Sequence, residues 1–126
     1  MGMFKVRVRV ANSSDPGRAF EDDFVVDTGA LYTFVPAERL TAIGVVPRSQ
    51  REFVFGTGHR EHRPLGQADL TVVSIGETLT CPIVFGPPGA LYLLGATALE
   101  IFSLHVDPLR QVLEPAVAVI GGFVVR

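Results

Sequence analysis

From Phe4 to Val10 apolar and cationic residues alternate without a break. Phe4, Val6, Val8 and Val10 fall on one side, and Lys5, Arg7 and Arg9 on the other. A period of two belongs to a strand with one face in a core and the other in water. The rest of the chain keeps to that choice. Thirteen Gly, nine Pro and many Val, with little Ala-Glu-Lys material, suit short strands and turns rather than long helices.

The segment Asn12-Ser13-Ser14-Asp15-Pro16-Gly17 reads as a turn, and a second strand follows from Ala19 to Val26. Thr33-Phe34-Val35 is strand-like, and Pro36 is expected to open a short helix that runs to Ile43 and stops at Gly44. Arg51–Phe55 and His59–Arg63 read as the polar, exposed arms of a hairpin with Gly56-Thr57-Gly58 at its tip. Two strands, Gln67–Ile75 and Thr78–Phe85, come next, joined by Gly76-Glu77. A second short helix is expected over Thr97–Phe102, and Asp107-Pro108 as a turn between Ser103–Val106 and Gln111–Leu113. Many short strands, two short helices and no solenoid repeat predict an all-β domain, a closed or nearly closed β-barrel. At 126 residues the chain is expected to be one domain, with residues 116–126 an extra strand or a tail.

Composition removes several function classes. Lys plus Arg number 11 against 13 Asp plus Glu, a net charge of −2, so no nucleic-acid partner is expected. Ala116–Val125 is the longest apolar candidate. It is interrupted by Gly121-Gly122 and falls short of the roughly 20 residues a membrane helix needs, so no membrane partner is expected. The N-terminus lacks a basic head followed by an apolar block, so no leader is expected. Cys81 is alone and reads as a buried structural thiol in a cytoplasmic protein.

Asp27 is the residue that needs explaining. It follows Phe24-Val25-Val26, where the chain leaves the core, and Gly29 is expected to let the backbone turn sharply behind it. A carboxylate there is costly unless compensated, and its plainer reading is a turn aspartate capping its own loop. Other candidates are weaker. His59 and His62 lie three apart on a strand and so face opposite ways, with no Cys or carboxylate at a ligand spacing. No metal and no cofactor are expected. Ser13, Ser14 and Ser49 lack a nucleophile elbow, and the glycines form no phosphate cradle. Glu21-Asp22-Asp23 reads as a polar lead into a strand, and Arg60-Glu61-His62-Arg63 as a solvated arm.

Three features nevertheless stand in order: an apolar strand running into Asp27-Thr28-Gly29-Ala30, a glycine-tipped hairpin about 30 residues on, and Leu93-Leu94-Gly95 ahead of a helix, with Gly95 68 positions after Asp27. With Phe85-Gly86-Pro87-Pro88 before the last of them, the set resembles the retropepsin-like aspartic proteases of bacterial type over roughly Phe4 to Leu113. The resemblance implies a closed barrel of the acid-protease type and an aspartic endopeptidase acting on extended polypeptides. Asp27 would be the catalytic residue, with Thr28 bracing the loop across a dimer, and Gly29 and Ala30 supporting the site. Gly56, Thr57 and Gly58 would form a flap over the substrate.

One chain offers one such aspartate, whereas the implied chemistry needs two carboxylates about 3 Å apart sharing a proton. The resemblance therefore implies a homodimer, in which one carboxylate activates water and the other protonates the peptide carbonyl oxygen. Ala30 stands where pepsin-like enzymes often carry Ser, which implies a mildly rather than strongly acidic optimum. Leu31 and Ala96 occupy the positions of an ion pair that braces retroviral dimers, so that brace is missing. This departure keeps a second reading open, a catalytically silent dimerisation or peptide-binding module of the same fold.

Overall fold

The computed structural model describes residues 3–117. The opening alternation becomes β1 (Lys5–Asn12), in which Val8 and Val10 are fully buried while Lys5 and Arg7 face water. β1 pairs antiparallel with β2 (Asp15–Val26), which places Arg7 opposite Asp23 and within 3.2 Å of Glu21. The turn between them is narrower than the sequence suggests. The Asn12 side-chain oxygen accepts the N–H groups of Ser14 and Asp15 at 2.8 and 3.1 Å, closing the chain within two residues. Pro16 and Gly17 therefore lie inside β2, and a register shift at Ala11/Asn12 absorbs the mismatch.

β3 (Thr33–Pro36) leads into α1 (Ala37–Ala42). Pro36 is the last residue of β3 and caps the helix rather than beginning it, because its extended backbone (ψ 136°) still pairs with Gly86. Gly44 ends this segment at φ +80°, a conformation that glycine adopts without a Cβ penalty. β4 (Ser49–Val54) forms a hairpin with β5 (Arg60–Val72). The expected hairpin arm and the strand after it are one continuous element. Pro64 sits opposite Gln50, and at Gly66 a Cβ would stand only 3.2 Å from the Val46 carbonyl oxygen. β6 (Glu77–Gly86) follows a turn at 73–76, then β7 (Leu93–Leu94) and α2 (Ala96–Ile101). A separate two-stranded sheet, β8 (Leu104–Asp107) with β9 (Val112–Pro115), comes last. Asp107 makes its turn by accepting the N–H groups of Leu109 and Arg110 on Oδ1, both at 3.1 Å.

Mostly β-structure with two short helices is therefore what the chain builds. Seven strands form one sheet in the order β1-β2-β7-β3-β6-β5-β4, and β5 pairs back onto β1 from Val8↔Val72 to Ala11↔Asp69. Phe24, Val35, Leu40, Leu70, Ile83 and Leu94 fill the interior without exposure. At roughly 25 cal/mol per Å² of apolar surface, burying each such side chain contributes about 1.5–3 kcal/mol. Leu104 and Leu113 join the same core, so the β8–β9 sheet packs on the main body. The extra strand or tail expected over 116–126 lies, beyond Val117, outside the described residues.

Candidate functional site

Two-residue β7 organises the centre of the molecule. It runs parallel to β2, with Val25 beside Leu93 and Val26 beside Leu94, and antiparallel to β3 at Phe34. The Asp27 N–H donates to the Leu94 carbonyl at 3.0 Å, so the aspartate continues that pairing one step past the end of β2. The chain then turns back, with the Ala30 N–H donating to the Asp27 carbonyl at 3.2 Å. Ala30 and Leu31 in turn accept the N–H groups of Ala96 and Thr97 at 2.8 and 2.9 Å, which ties the loop to the first turn of α2. Thr33, fully buried, accepts the Gly95 N–H on its hydroxyl at 3.2 Å.

Within this loop Asp27 is half-buried, and its Oδ1 accepts the Gly29 N–H at 2.9 Å. The loop-capping reading of the aspartate thus describes one of its two carboxylate oxygens. Oδ2 has no hydrogen-bond partner among the described residues. The chain turns sharply at Gly29, as the sequence leads one to expect, but without a left-handed φ there. The constraint on Gly29 is proximity, since a Cβ there would stand 3.3 Å from Asp27 Oδ1.

Asp27, Gly29 and Ala30 line a groove of about 850 Å³. Leu31, Phe34, Leu91 and Leu93 supply apolar walls, and Phe53, Phe55 and Gly56 bring the β4–β5 hairpin against the same space. The hairpin is held there by aromatic contacts, Phe53 standing edge-on to Phe34 and Tyr32 at ring-centre distances of 5.1 and 6.2 Å. The arms expected to be polar and exposed are thus half apolar, because Arg51, Phe53 and Phe55 alternate with Glu52 and Val54. That alternation was readable in the sequence, whereas the aromatic partners, some 20 residues away, were not. Of the expected site residues, Asp27, Gly29, Ala30 and Gly56 come together on the groove. Thr28 is exposed beside it, and Thr57 and Gly58 form the hairpin tip outside its lining, Gly58 at φ +85°.

His59 stacks on Phe55 with ring centres 6.1 Å apart and lies 4.0 Å from Glu61. Among the described residues no group of three His, Cys, Asp or Glu side chains is placed to hold a metal, and no helix is long and apolar enough to cross a membrane. A second carboxylate, Glu52, reaches the groove from the hairpin, but it faces Arg60 at 3.7 Å.

No protein-family model and no curated protein matches the sequence. Solved structures do match in shape. The retroviral protease-like domain of Ddi1 from Leishmania major superposes with a TM-score of 0.57 at 13% identity, over 91% of this chain and 89% of that one. A retropepsin-like aspartic protease from Rickettsia conorii gives 0.53 at 18% identity, over 89% and 88%. The chain shares the retropepsin-like fold of these neighbours, one a retroviral protease-like domain and the other a retropepsin-like aspartic protease.

Proposed function

We propose that the chain is an aspartic endopeptidase that hydrolyses extended polypeptides as a homodimer, each subunit a single domain contributing Asp27. One observation carries the reading. Asp27 presents a carboxylate with an unengaged oxygen to an apolar groove, on a loop held by the N-terminus of α2, beneath a hairpin that reaches the same space. The return of β5 onto β1 supports taking the sheet as the closed barrel of the acid-protease type.

The site as built in one chain is half of what the chemistry needs. Glu52 belongs to the hairpin and faces Arg60, so it is a poor second member for a carboxylate pair. A second copy supplies Asp27 across a two-fold axis. Two carboxylates so close hold one proton between them. The ionised member takes a proton from water as that water attacks the peptide carbonyl carbon, and the protonated member donates to the carbonyl oxygen. On collapse the carboxyl that took the water proton gives it to the amide nitrogen, and a diol hydroxyl returns its proton to the other carboxylate. The C–N bond breaks and the amine leaves, without a covalent enzyme adduct. The Gly29 N–H fixes one Asp27 oxygen and leaves the other for water. The exposure of Thr28 leaves it available to brace the partner's loop. Gly56, Thr57 and Gly58 would close over a bound peptide and exclude water.

Cleavage of an unfolded polypeptide mixture between about pH 4 and pH 7, wild type against Asp27→Asn, tests this. The variant is expected to lose at least about a hundredfold in rate while keeping its dimer. No cleavage by a verified wild-type dimer would leave the silent peptide-binding module in its place.

A further inference from the structure

Past Tyr32 and Arg51, which line both spaces, the groove adjoins a smaller pocket of about 250 Å³. Its lining includes two arginines, Arg48 and Arg51, beside Ser49 and Gln67, and contains no carboxylate. Arg9, Arg18 and Arg63 donate to backbone carbonyls, and Arg7, Arg60 and Arg110 sit against acids, at 3.2 Å from Glu21, 3.7 Å from Glu52 and 3.1 Å from Glu114. Arg51 donates to the Ser49 hydroxyl at 3.3 Å and the Gln50 carbonyl at 2.9 Å, neutral acceptors that orient the guanidinium without cancelling its charge. Neither Arg48 nor Arg51 has a carboxylate within 4.0 Å among the described residues.

Resting on the endopeptidase reading, we propose that Arg51 and Arg48 are specificity residues that select polypeptides carrying Asp or Glu flanking the scissile bond, each subunit's pocket serving one side of it. An extended peptide advances about 3.3 Å per residue, so residues beyond those over Asp27 run towards Tyr32 and the adjoining pocket. A guanidinium fork takes a carboxylate through two parallel N–H donors, a geometry that neither an amide nor a hydroxyl side chain reproduces. Both arginines are exposed, so the selection is modest and weakens with salt. Glu52 faces the same groove, and its pairing with Arg60 keeps its charge from opposing an acidic substrate.

The test is cleavage of a proteome-derived peptide library with the products sequenced, followed by matched peptides differing only by Glu against Gln. Wild type is expected to favour acid at a fixed distance from the scissile bond, on either side of it, by roughly three- to tenfold in kcat/KM. In Arg48→Gln/Arg51→Gln that ratio falls to about one, and Arg51→Glu turns the preference towards Lys or Arg. No acidic preference in the wild type, or one that survives in the double variant, overturns the proposal. If the wild type cuts nothing, the endopeptidase reading fails separately. Retention of the same library on immobilised chain then decides: acidic peptides enriched on the wild type and lost on the double variant support the arginine pocket, and equal retention overturns it.

Discussion

Gly95 shows what a single residue does for the site. A Cβ there would collide with the Tyr32 carbonyl oxygen and stand 2.9 Å from that of Ala30, and both are backbone atoms of the segment that follows Asp27. Nothing flexible can give way, so Gly95→Ala must push the Asp27 loop off α2. The substitution is expected to cost about 2 kcal/mol or more. In a domain of this size that lowers the Tm by roughly 5–10 °C in calorimetry. An unchanged Tm would contradict the close approach. Cys81 makes a second case. Burial pushes its thiol up to about 11 from an ordinary 9.0, with the Asp69 carboxylate adding to the shift. Between pH 9 and 11 the unfolded chain therefore releases a proton that the folded chain keeps. Stability then falls as pH rises through that window and is unaffected by this group below it. Denaturant unfolding across pH 8–11 should show a shallower decline for Cys81→Ala than for the wild type, and equal slopes would contradict the burial.

At the scale of elements, the β4–β5 hairpin depends on Phe53. The Arg60–Glu52 pair at 3.7 Å is exposed and contributes little. The edge-on contacts to Phe34 and Tyr32 join the hairpin to β3 and to the loop that carries Asp27. Phe53→Ala is expected to cost about 1–2 kcal/mol locally and to raise proteolytic nicking between residues 54 and 60 several-fold, with a smaller change in Tm. Nicking at the wild-type rate would show that the hairpin is held by something else. The same elements show where the sequence was legible. β1 and the Asp27 loop could be read because their signals are local, a period of two and an apolar strand meeting Asp-Thr-Gly. β5 was divided wrongly because Pro64 and Gly66 look like breakers. Pro64 is tolerated opposite Gln50, and Gly66 is needed where Phe85 and the Val46 carbonyl crowd the strand. Both reasons are tertiary contacts. The aromatic wall of the groove, from Tyr32 and Phe34 to Phe53, was hidden for the same cause.

At the scale of the molecule, the topology explains why one short strand matters so much. β7 has two residues, yet it lies between β2 and β3 and fixes Asp27 through the Leu94 carbonyl. Its neighbours, β2 and β3, lie in the first third of the chain while β7 itself is at Leu93–Leu94, so the loop that carries the carboxylate is positioned only once segments some 60 residues apart have paired. Folding and site assembly are then one event, and a variant that loosens the sheet should lose activity and stability together. The proposed dyad carries this logic one level further, because two complete domains must meet before the chemistry exists. Mixing wild type with Asp27→Asn at constant total concentration, after subunit exchange, measures that dependence directly. If one Asp27 from each subunit is required, activity follows the square of the wild-type fraction and falls to about a quarter in an equal mixture. A linear fall, to about half, would mean that each chain acts alone and would contradict the shared dyad.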